Sequence, residues 1–237
     1  PRAPHLNGVY SAAALTLAGK IYSIGGNNGA SQNFNHEFDP ISNTWTPRAP
    51  HTNAFDTFAA ATLGGKIYAI GGLNNGNSNR EFDPVTNTWT LRAPYVDIYG
   101  HAAGALGGKI YAIGGYNGGT VVGLNREFDP VTNTWTPRSP HLNTSAELTA
   151  ATLGGKIYAI GGVIGFGQNF NHEFDPITNT WTPRAPHANL IGQLAAASLG
   201  GKIYTIGGFN SGVRFNFNHE YDPGVATYFT NLSPNTQ

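Results

Sequence analysis

Short runs of β-branched and aromatic residues, punctuated by Gly, Pro and Asn, set the rhythm of this chain. One stretch shows the pattern. Residues 57–63 (TFAAATL) form a small-residue apolar run, and Gly64-Gly65 follow as a tight turn. Residues 66–70 (KIYAI) are β-branched and aromatic and end at Gly71-Gly72. Residues 79–83 (NREFD) give a third run, Pro84 to Thr88 a polar turn, and Trp89 to Arg92 a fourth run. Adjacent glycines permit the positive φ of a two-residue hairpin, and a Pro/Asn/Thr cluster marks a turn. Nowhere does an apolar residue recur at helical spacing over the roughly 10–15 residues that a helix needs, so the reading is all-β.

The same unit recurs. Gly-Gly pairs close an apolar strand at positions 25, 71, 114, 161 and 207, spaced by 46, 43, 47 and 46 residues. Trp45, Trp89, Trp135 and Trp181 keep the same phase, and Tyr228 is read as holding the fifth Trp position. Five units of about 46 residues fill the 237-residue chain, a period that marks a propeller or a solenoid. One domain over 1–237 is expected, with blades at about 6–50, 51–94, 95–140, 141–186 and 187–234. Residues 1–5 (PRAPH) repeat 47–51 and residues 231–235 (NLSPN) are a degenerate copy, so each blade is expected to be contiguous in sequence, with ring closure resting on blades 1 and 5 packing face to face.

The Gly-Gly pair, the aromatic in E-F-D-P and the Trp at fixed distance resemble the kelch motif, over essentially the whole chain. The resemblance implies a five-bladed kelch-type β-propeller with four antiparallel strands per blade, the Ala-rich strand innermost. Rings of that family usually have six or seven blades, and this chain departs from them with five, so a fragment of a larger ring stands as the alternative to a complete five-bladed one. The family includes galactose oxidases, whose site needs a Tyr–Cys crosslink. This chain has no Cys, so that chemistry is excluded, along with disulfides and thiolate-ligated metals.

What all copies share is read as scaffold. The Asp-Pro pairs (Asp39, Asp83, Asp129, Asp175, Asp222) are turn acceptors. The repeated glutamates (Glu37, Glu81, Glu127, Glu173, Glu220) pair with the arginines of the P-R-A-P segments or with backbone. His36, His172 and His219 alternate with Arg80 and Arg126 in one column and are read as exposed blade-edge residues rather than metal ligands.

What the copies do not share is the candidate site. Variation gathers in the loop leading into the inner strand and in the loop after the Gly-Gly pair, which antiparallel geometry places at one end of each blade. Ten of the thirteen acids belong to the repeated columns; the other three, Asp56, Asp97 and Glu147, all sit in lead-in loops, and Arg214 is the one base outside a repeated column. Tyr95, Tyr99, Tyr116, Phe166 and Phe209 share these loops with Asn74, Asn75, Asn117 and Asn210. The lead-in position itself reads Ser11, Thr57, Gly100, Glu147 and Gln193, different in every blade. In kelch adaptors that this chain resembles, that position and the residue after the Gly pair (here Asn27, Leu73, Tyr116, Val163, Phe209) contact ligand. The expected ligand-binding set is Asp56, Thr57, Asp97, Tyr99, Tyr116, Asn117, Glu147, Gln193, Phe209 and Arg214, bordering a shallow pocket for a neutral or weakly cationic polar ligand.

Charge narrows the function. Thirteen Lys and Arg balance thirteen Asp and Glu, which argues against a phosphate-binding surface and hence against nucleic acid. No run approaches the ~18 apolar residues of a membrane span. No catalytic motif, metal site or cofactor is expected. The leading reading is a non-catalytic binding or scaffold propeller for a protein, peptide or glycan. The alternatives are a structural protein that self-associates or decorates a filament, and a channel-mouth isomerase or lyase using Glu147, Arg214 and His101. Low charge, many Asn and Thr, and the absence of Cys and Met point to an extracellular or cell-surface protein. A start at Pro1 without any Met points to a processed or trimmed chain.

Overall fold

The computed structural model describes residues 1–74, 76–224 and 229–232. They form five four-stranded antiparallel sheets, each built from consecutive strands, together making the blades of a β-propeller. Blade 2 holds Ala59–Leu63, Lys66–Ile70, Asn79–Asp83 and Thr88–Leu91. Its register runs from Leu63↔Lys66 at the glycine turn to Ala59↔Ile70, and Phe82 stands opposite Trp89. Gly64 and Gly65 have φ of 58° and 76°, the paired positive values that match a hairpin turn to the twist of its strands. The first strand is shorter than its apolar run because Thr57 sits at φ 54°, and a left-handed residue cannot continue an extended ladder. First strands of neighbouring blades pack on each other, Ala13–Leu17 on Ala59–Leu63, and Thr149–Leu153 on both Ala102–Leu106 and Ala195–Leu199. The Ala-rich strand is therefore innermost. No helix long and apolar enough to cross a membrane occurs among the described residues.

The chain divides into two compact units. One comprises Pro1–Gly100 with Asp129–Trp135 and holds blades 1 and 2. Its core gathers Tyr22, Ile24, Phe55, Ile67, Ala69 and Phe82, with Tyr22 edge-on to Phe82 at 6.1 Å. The other comprises His101–Phe128 with Thr136–Gln237 and holds blades 4 and 5 and the inner strands of blade 3. Tyr111, Ile113, Leu148, Ile157 and Phe174 pack in one of its clusters, and Tyr158, Ile160, Ile191, Ile203 and Tyr221 in another.

The repeated polar residues are scaffold. Lys20 pairs with Asp39 at 2.5 Å, and Lys66 with Asp83. Asp83 Oδ1 also accepts the Val85 N–H at 2.8 Å, the turn role expected of it. The Lys20 ammonium and the Ile41 N–H hold the Asp39 carboxyl down at about 2. Tyr68 and Arg92 both donate to Glu81 within blade 2, and Tyr158 and Arg184 do so to Glu173 in blade 4.

A second repeated device joins the tail of one blade to the next. Asn87 (φ 57°) accepts the Ala49 N–H at 2.9 Å, and Trp89 Nε1 donates to the Ala49 carbonyl at 2.9 Å. Asn43 and Trp45 grip Ala3 in the same way, Asn133 and Trp135 grip Ala93, and Asn179 and Trp181 grip Ser139. These Trp residues are half-buried, less than a Trp wedged wholly between sheets would be, because the indole lies over the tail and leaves an edge in water.

Three expectations need correction here. Tyr228 lies outside the described residues, and Phe229 takes the fifth aromatic place, stacked on Tyr221 at 5.0 Å and tilted on His187 at 4.8 Å. Phe229 stands seven residues after Asp222, where Trp45 stands six after Asp39, so counting six from Asp222 lands one short. The histidine column is buried, not exposed: His36, His172 and His219 are 7%, 8% and 4% exposed. Each meets the histidine of a tail segment, His36 to His5 at 3.3 Å, His172 to His141 at 3.0 Å and His219 to His187 at 3.1 Å. Tyr95, read as a loop aromatic, is likewise buried, against Trp135 at 4.4 Å.

Candidate functional site

The variable loops meet as antiparallel geometry requires. Single bridges pair Tyr10 with Asn27, Asp56 with Leu73, Ala146 with Val163 and Gly192 with Phe209, so in blades 1, 2, 4 and 5 the lead-in loop lies against the residue after its own Gly pair. Three of the loops after the Gly pair are themselves tiny hairpins: Tyr116–Asn117 with Thr120–Val121, Val163–Ile164 with Phe166–Gly167, and Phe209–Asn210 with Val213–Arg214. The sequence offered only Gly118-Gly119, Gly165 and Gly212 as hints of them.

In the first unit, Asp56 is only 3% exposed. It accepts hydrogen bonds from Asn27 Nδ2 at 2.8 Å, Ser31 Oγ at 2.8 Å and Thr57 Oγ1 at 2.7 Å. Burial alone would raise this carboxyl, but the donors from Thr57, Asn27 and Ser31 outweigh it and hold the group below its ordinary value. Asp56 thus ties blade 1 to the lead-in of blade 2, and Asn27 and Ser31 are partners that the sequence gave no reason to connect. Replacing Asp56 with Ala leaves three donors without an acceptor, and should cost about 1–3 kcal/mol of stability, read as a lower urea midpoint. Asp97 is exposed on the lead-in of blade 3, packed so closely on the loop after the second Gly pair that a Cβ on Gly76 would fall 1.8 Å from its Oδ1. Tyr99 is half-buried nearby in the chain.

In the second unit, Gln193 Nε2 donates to Glu147 Oε2 at 2.8 Å, and the Gln193 N–H donates to the Glu147 carbonyl at 2.8 Å. Gly192, next in the chain to Gln193, exchanges backbone bonds with Phe209, and Phe209 stands opposite Arg214 in its hairpin. Glu147, Gln193, Phe209 and Arg214 are therefore brought into one neighbourhood. Tyr116 and Asn117 stand on the blade 3 hairpin, whose base is stitched to the lead-in of blade 4 through Gly115 N–H to the Ser145 carbonyl at 2.7 Å. His101 is 5% exposed, and burial pushes its pKa down to about 3. It is a core residue held neutral, poorly suited to proton transfer beside Glu147. No group of three or more metal-ligating side chains occurs among the described residues.

One property of the lead-in position is invisible in the sequence. Ser11, Thr57, Gly100, Glu147 and Gln193 all adopt left-handed backbone, with φ of 54°, 54°, 65°, 54° and 55°. Consecutive members are joined where Gly100 N–H reaches the Thr57 carbonyl and Gln193 N–H the Glu147 carbonyl, each at 2.8 Å. Glycine is the unstrained choice for such a conformation, and blade 3 shows that it fits. The only sequence signal was that glycine.

Comparison with known proteins agrees with the architecture. A family model described as the KLHDC2/KLHL20/DRC7 Kelch-repeats domain matches residues 11–208. No curated protein sequence matches the chain. Among solved structures, one titled "Structure of YjhT" superposes with a TM-score of 0.85 at 16% identity, covering 98% of this chain and 86% of the other.

Proposed function

Because the chain belongs to the Kelch-repeat family, we propose that it is a non-catalytic binding propeller that takes its ligand on the face formed by the lead-in loops and the loops after the Gly pairs. The observation that carries this reading is the lead-in column. Four of its five members keep a side chain at a backbone conformation that disfavours one, and the four side chains differ: Ser11, Thr57, Glu147 and Gln193. A turn needed only for shape would drift to glycine, as Gly100 has. Left-handed backbone costs a non-glycine residue about 1 kcal/mol or more, and strain of this kind gathers at ligand-binding positions.

The neighbourhood of Glu147, Gln193, Phe209 and Arg214 is the centre of this proposal. It offers a carboxylate, an amide, an aromatic face and one cation, a set that suits a polar peptide or a glycan. One carboxylate against one guanidinium leaves this neighbourhood without net charge, which favours a neutral or weakly cationic ligand. Tyr116 and Asn117 extend the variable loops of the same unit. Composition supports an extracellular or surface location for such a binder.

A glycan array and a peptide-display screen, followed by titration calorimetry on the best hit, test the reading. Glu147→Gln, Gln193→Gly and Phe209→Ala should each weaken binding at least tenfold and leave the melting temperature nearly unchanged. Binding that survives all three but is lost on Lys156→Ala, at the opposite end of the blade, would place the site on the wrong face.

A further inference from the structure

Counted from the Gly pairs and the G-K turns, the junction of blades 1 and 2 aligns with that of blades 4 and 5. Ser31 falls with Gly167, Asp56 with Gly192, Thr57 with Gln193 and Asn74 with Asn210. The first junction lies in one compact unit and the second in the other. The first consumes its own polar groups. Asp56 accepts from Asn27, Ser31 and Thr57, and Asn74 Nδ2 donates to the Ser31 hydroxyl at 3.4 Å.

The second junction lacks that carboxylate and that hydroxyl, because glycines stand in both places. No side chain fits at Gly167, where a Cβ would fall 2.7 Å from the Ile191 nitrogen. Asn210 therefore turns its oxygen to the backbone, accepting the Gly167 N–H at 2.9 Å and the Ser211 hydroxyl at 3.0 Å. A backbone N–H only donates, so the Asn210 atom facing it is oxygen, and the amide nitrogen points elsewhere. Nothing among the described residues accepts from that Nδ2. Gln193 is set in the opposite sense. Its Nε2 donates to Glu147 Oε2 at 2.8 Å, and a carboxylate only accepts, so Gln193 Oε1 is the end left over. Gln193 Oε1 and Glu147 Oε1 have no partner among the described residues. Gly192 and Phe209 exchange backbone bonds, so Gln193 and Asn210 each stand one residue from the same backbone pair. Phe166, 58% exposed, precedes Gly167 on the hairpin that Asn210 holds.

We propose that the junction of blades 4 and 5 binds the hydroxyl groups of a neutral sugar, an assignment that rests on the binding face proposed above. Asn210 Nδ2 donates to a hydroxyl oxygen, and hydroxyl hydrogens go to Gln193 Oε1 and Glu147 Oε1. A hydroxyl donates and accepts at one atom, which suits a donor and two acceptors set close together. A peptide group carries its N–H and C=O on opposite sides. The first junction shows the same pairing, since Asn74 gives the equivalent amide to a hydroxyl. The uncovered ring of Phe166 takes the C–H face of the sugar, whose slightly positive hydrogens lie on the negative π-face. Arg214, without an acidic partner among the described residues, offsets the charge of Glu147, which favours a sugar that is itself uncharged.

An array of neutral and acidic glycans probed with the full chain, then titration calorimetry with the best neutral sugar, tests the proposal. Neutral sugars should bind, and at least one monodeoxy analogue of the best should bind at least tenfold more weakly. Asn210→Asp keeps the oxygen that accepts the Gly167 N–H and loses the donor. It should cost at least tenfold in affinity with the melting temperature nearly unchanged. Phe166→Leu keeps apolar bulk and loses the ring, and it serves in place of Asn210→Asp if that variant melts early. Asn74→Asp, in the first junction, should bind as the wild type does. An array that answers only to acidic sugars, or to none, overturns the proposal, as does a neutral sugar held equally well by Asn210→Asp and Phe166→Leu. A peptide that binds and is lost on Glu147→Gln overturns the sugar and leaves the binding face standing. A ligand lost only on Lys156→Ala overturns both.

Discussion

Acidification from pH 7 to pH 4 is expected to destabilise this protein steeply through its buried histidines. Burial pushes His51, His141 and His187 down to about 4, and His101 to about 3. Burial also lowers His36, His172 and His219. The environments explain why. His141 lies between Phe170 and Trp181, with its Nε2 against His172 and its Nδ1 at the Asn143 carbonyl. His187 is set against Phe217, Phe229, His219 and Thr205. His51 faces Phe55 and Trp89, with the Arg80 charge disfavouring its cation further. In each case the folded pKa lies below the unfolded value of 6.5, so the unfolded chain binds more protons between the two. Stability is then complete above pH 6.5 and falls as the pH drops toward 4. One pKa unit is worth about 1.4 kcal/mol, so each of the three strongly shifted tail histidines withdraws on the order of 3 kcal/mol once fully protonated. Together they rival the whole stability of an ordinary domain, roughly 5–15 kcal/mol. Urea titrations at several pH values between 7.5 and 4.5 should show a falling midpoint. His141→Tyr copies the residue that blade 3 carries at that place, Tyr95, and should fold at pH 7 with a shallower pH dependence. A midpoint that does not move between pH 7 and pH 4.5 contradicts this account.

These histidines mark the limit of what could be read from the chain. The strand pattern, the glycine hairpins and the contiguous blades follow from local periodicity, the innermost place of the Ala-rich strand from the kelch resemblance, and the structure has each of them. So do the turn role of Asp83, whose Asp-Pro pair recurs in every unit, and the pairing of Glu81 with Arg92, which recurs in the first four units; the fifth has Leu232 at the arginine's place and pairs Glu220 with Lys202 instead. The histidine column looked like an exposed edge because Arg80 and Arg126 replace His36 in other blades. What decides its burial is the tail segment that folds over it, a contact between residues 31 or 32 apart in sequence. Asp56 stands out in the sequence as an acid outside the repeated columns and was read as ligand-binding, but its burial under Asn27 and Ser31 depends on the neighbouring blade. Likewise the left-handed backbone at Glu147 and Gln193 leaves no mark in those residue types. Local pattern fixes the sheets, and tertiary contacts decide which variable residues remain available to a ligand.

Trp89→Ala should be among the most damaging single changes in the first unit, because Trp89 and Asn87 together hold one residue of another blade's tail by both backbone groups. Ala49 gives its N–H to Asn87 and its carbonyl to Trp89. Arg48 beside it donates to the Pro84 carbonyl at 2.5 Å. The indole also packs on Phe82 at 5.1 Å and edge-on to His51 at 4.9 Å. Truncating such an aromatic costs about 3–5 kcal/mol, and the half-exposed edge of Trp89 puts it near the lower figure. Trp89→Phe separates the terms. It retains the ring contacts and loses the bond to Ala49, so it should cost about 1 kcal/mol. The Asn87 series makes the same separation for the turn. Asn87→Gly preserves the φ of 57° and loses only the cap, again about 1 kcal/mol. Asn87→Ala loses the cap and adds left-handed strain of roughly 1–2 kcal/mol. The double variant Asn87→Gly, Trp89→Phe decides whether the grip acts as a unit. Once either bond is gone the tail residue can lift away, so the second loss should cost less than it does alone, leaving a coupling of at least about 0.5 kcal/mol. Strict additivity in urea melts would mean that Ala49 is held by the rest of its segment and that the two bonds act independently.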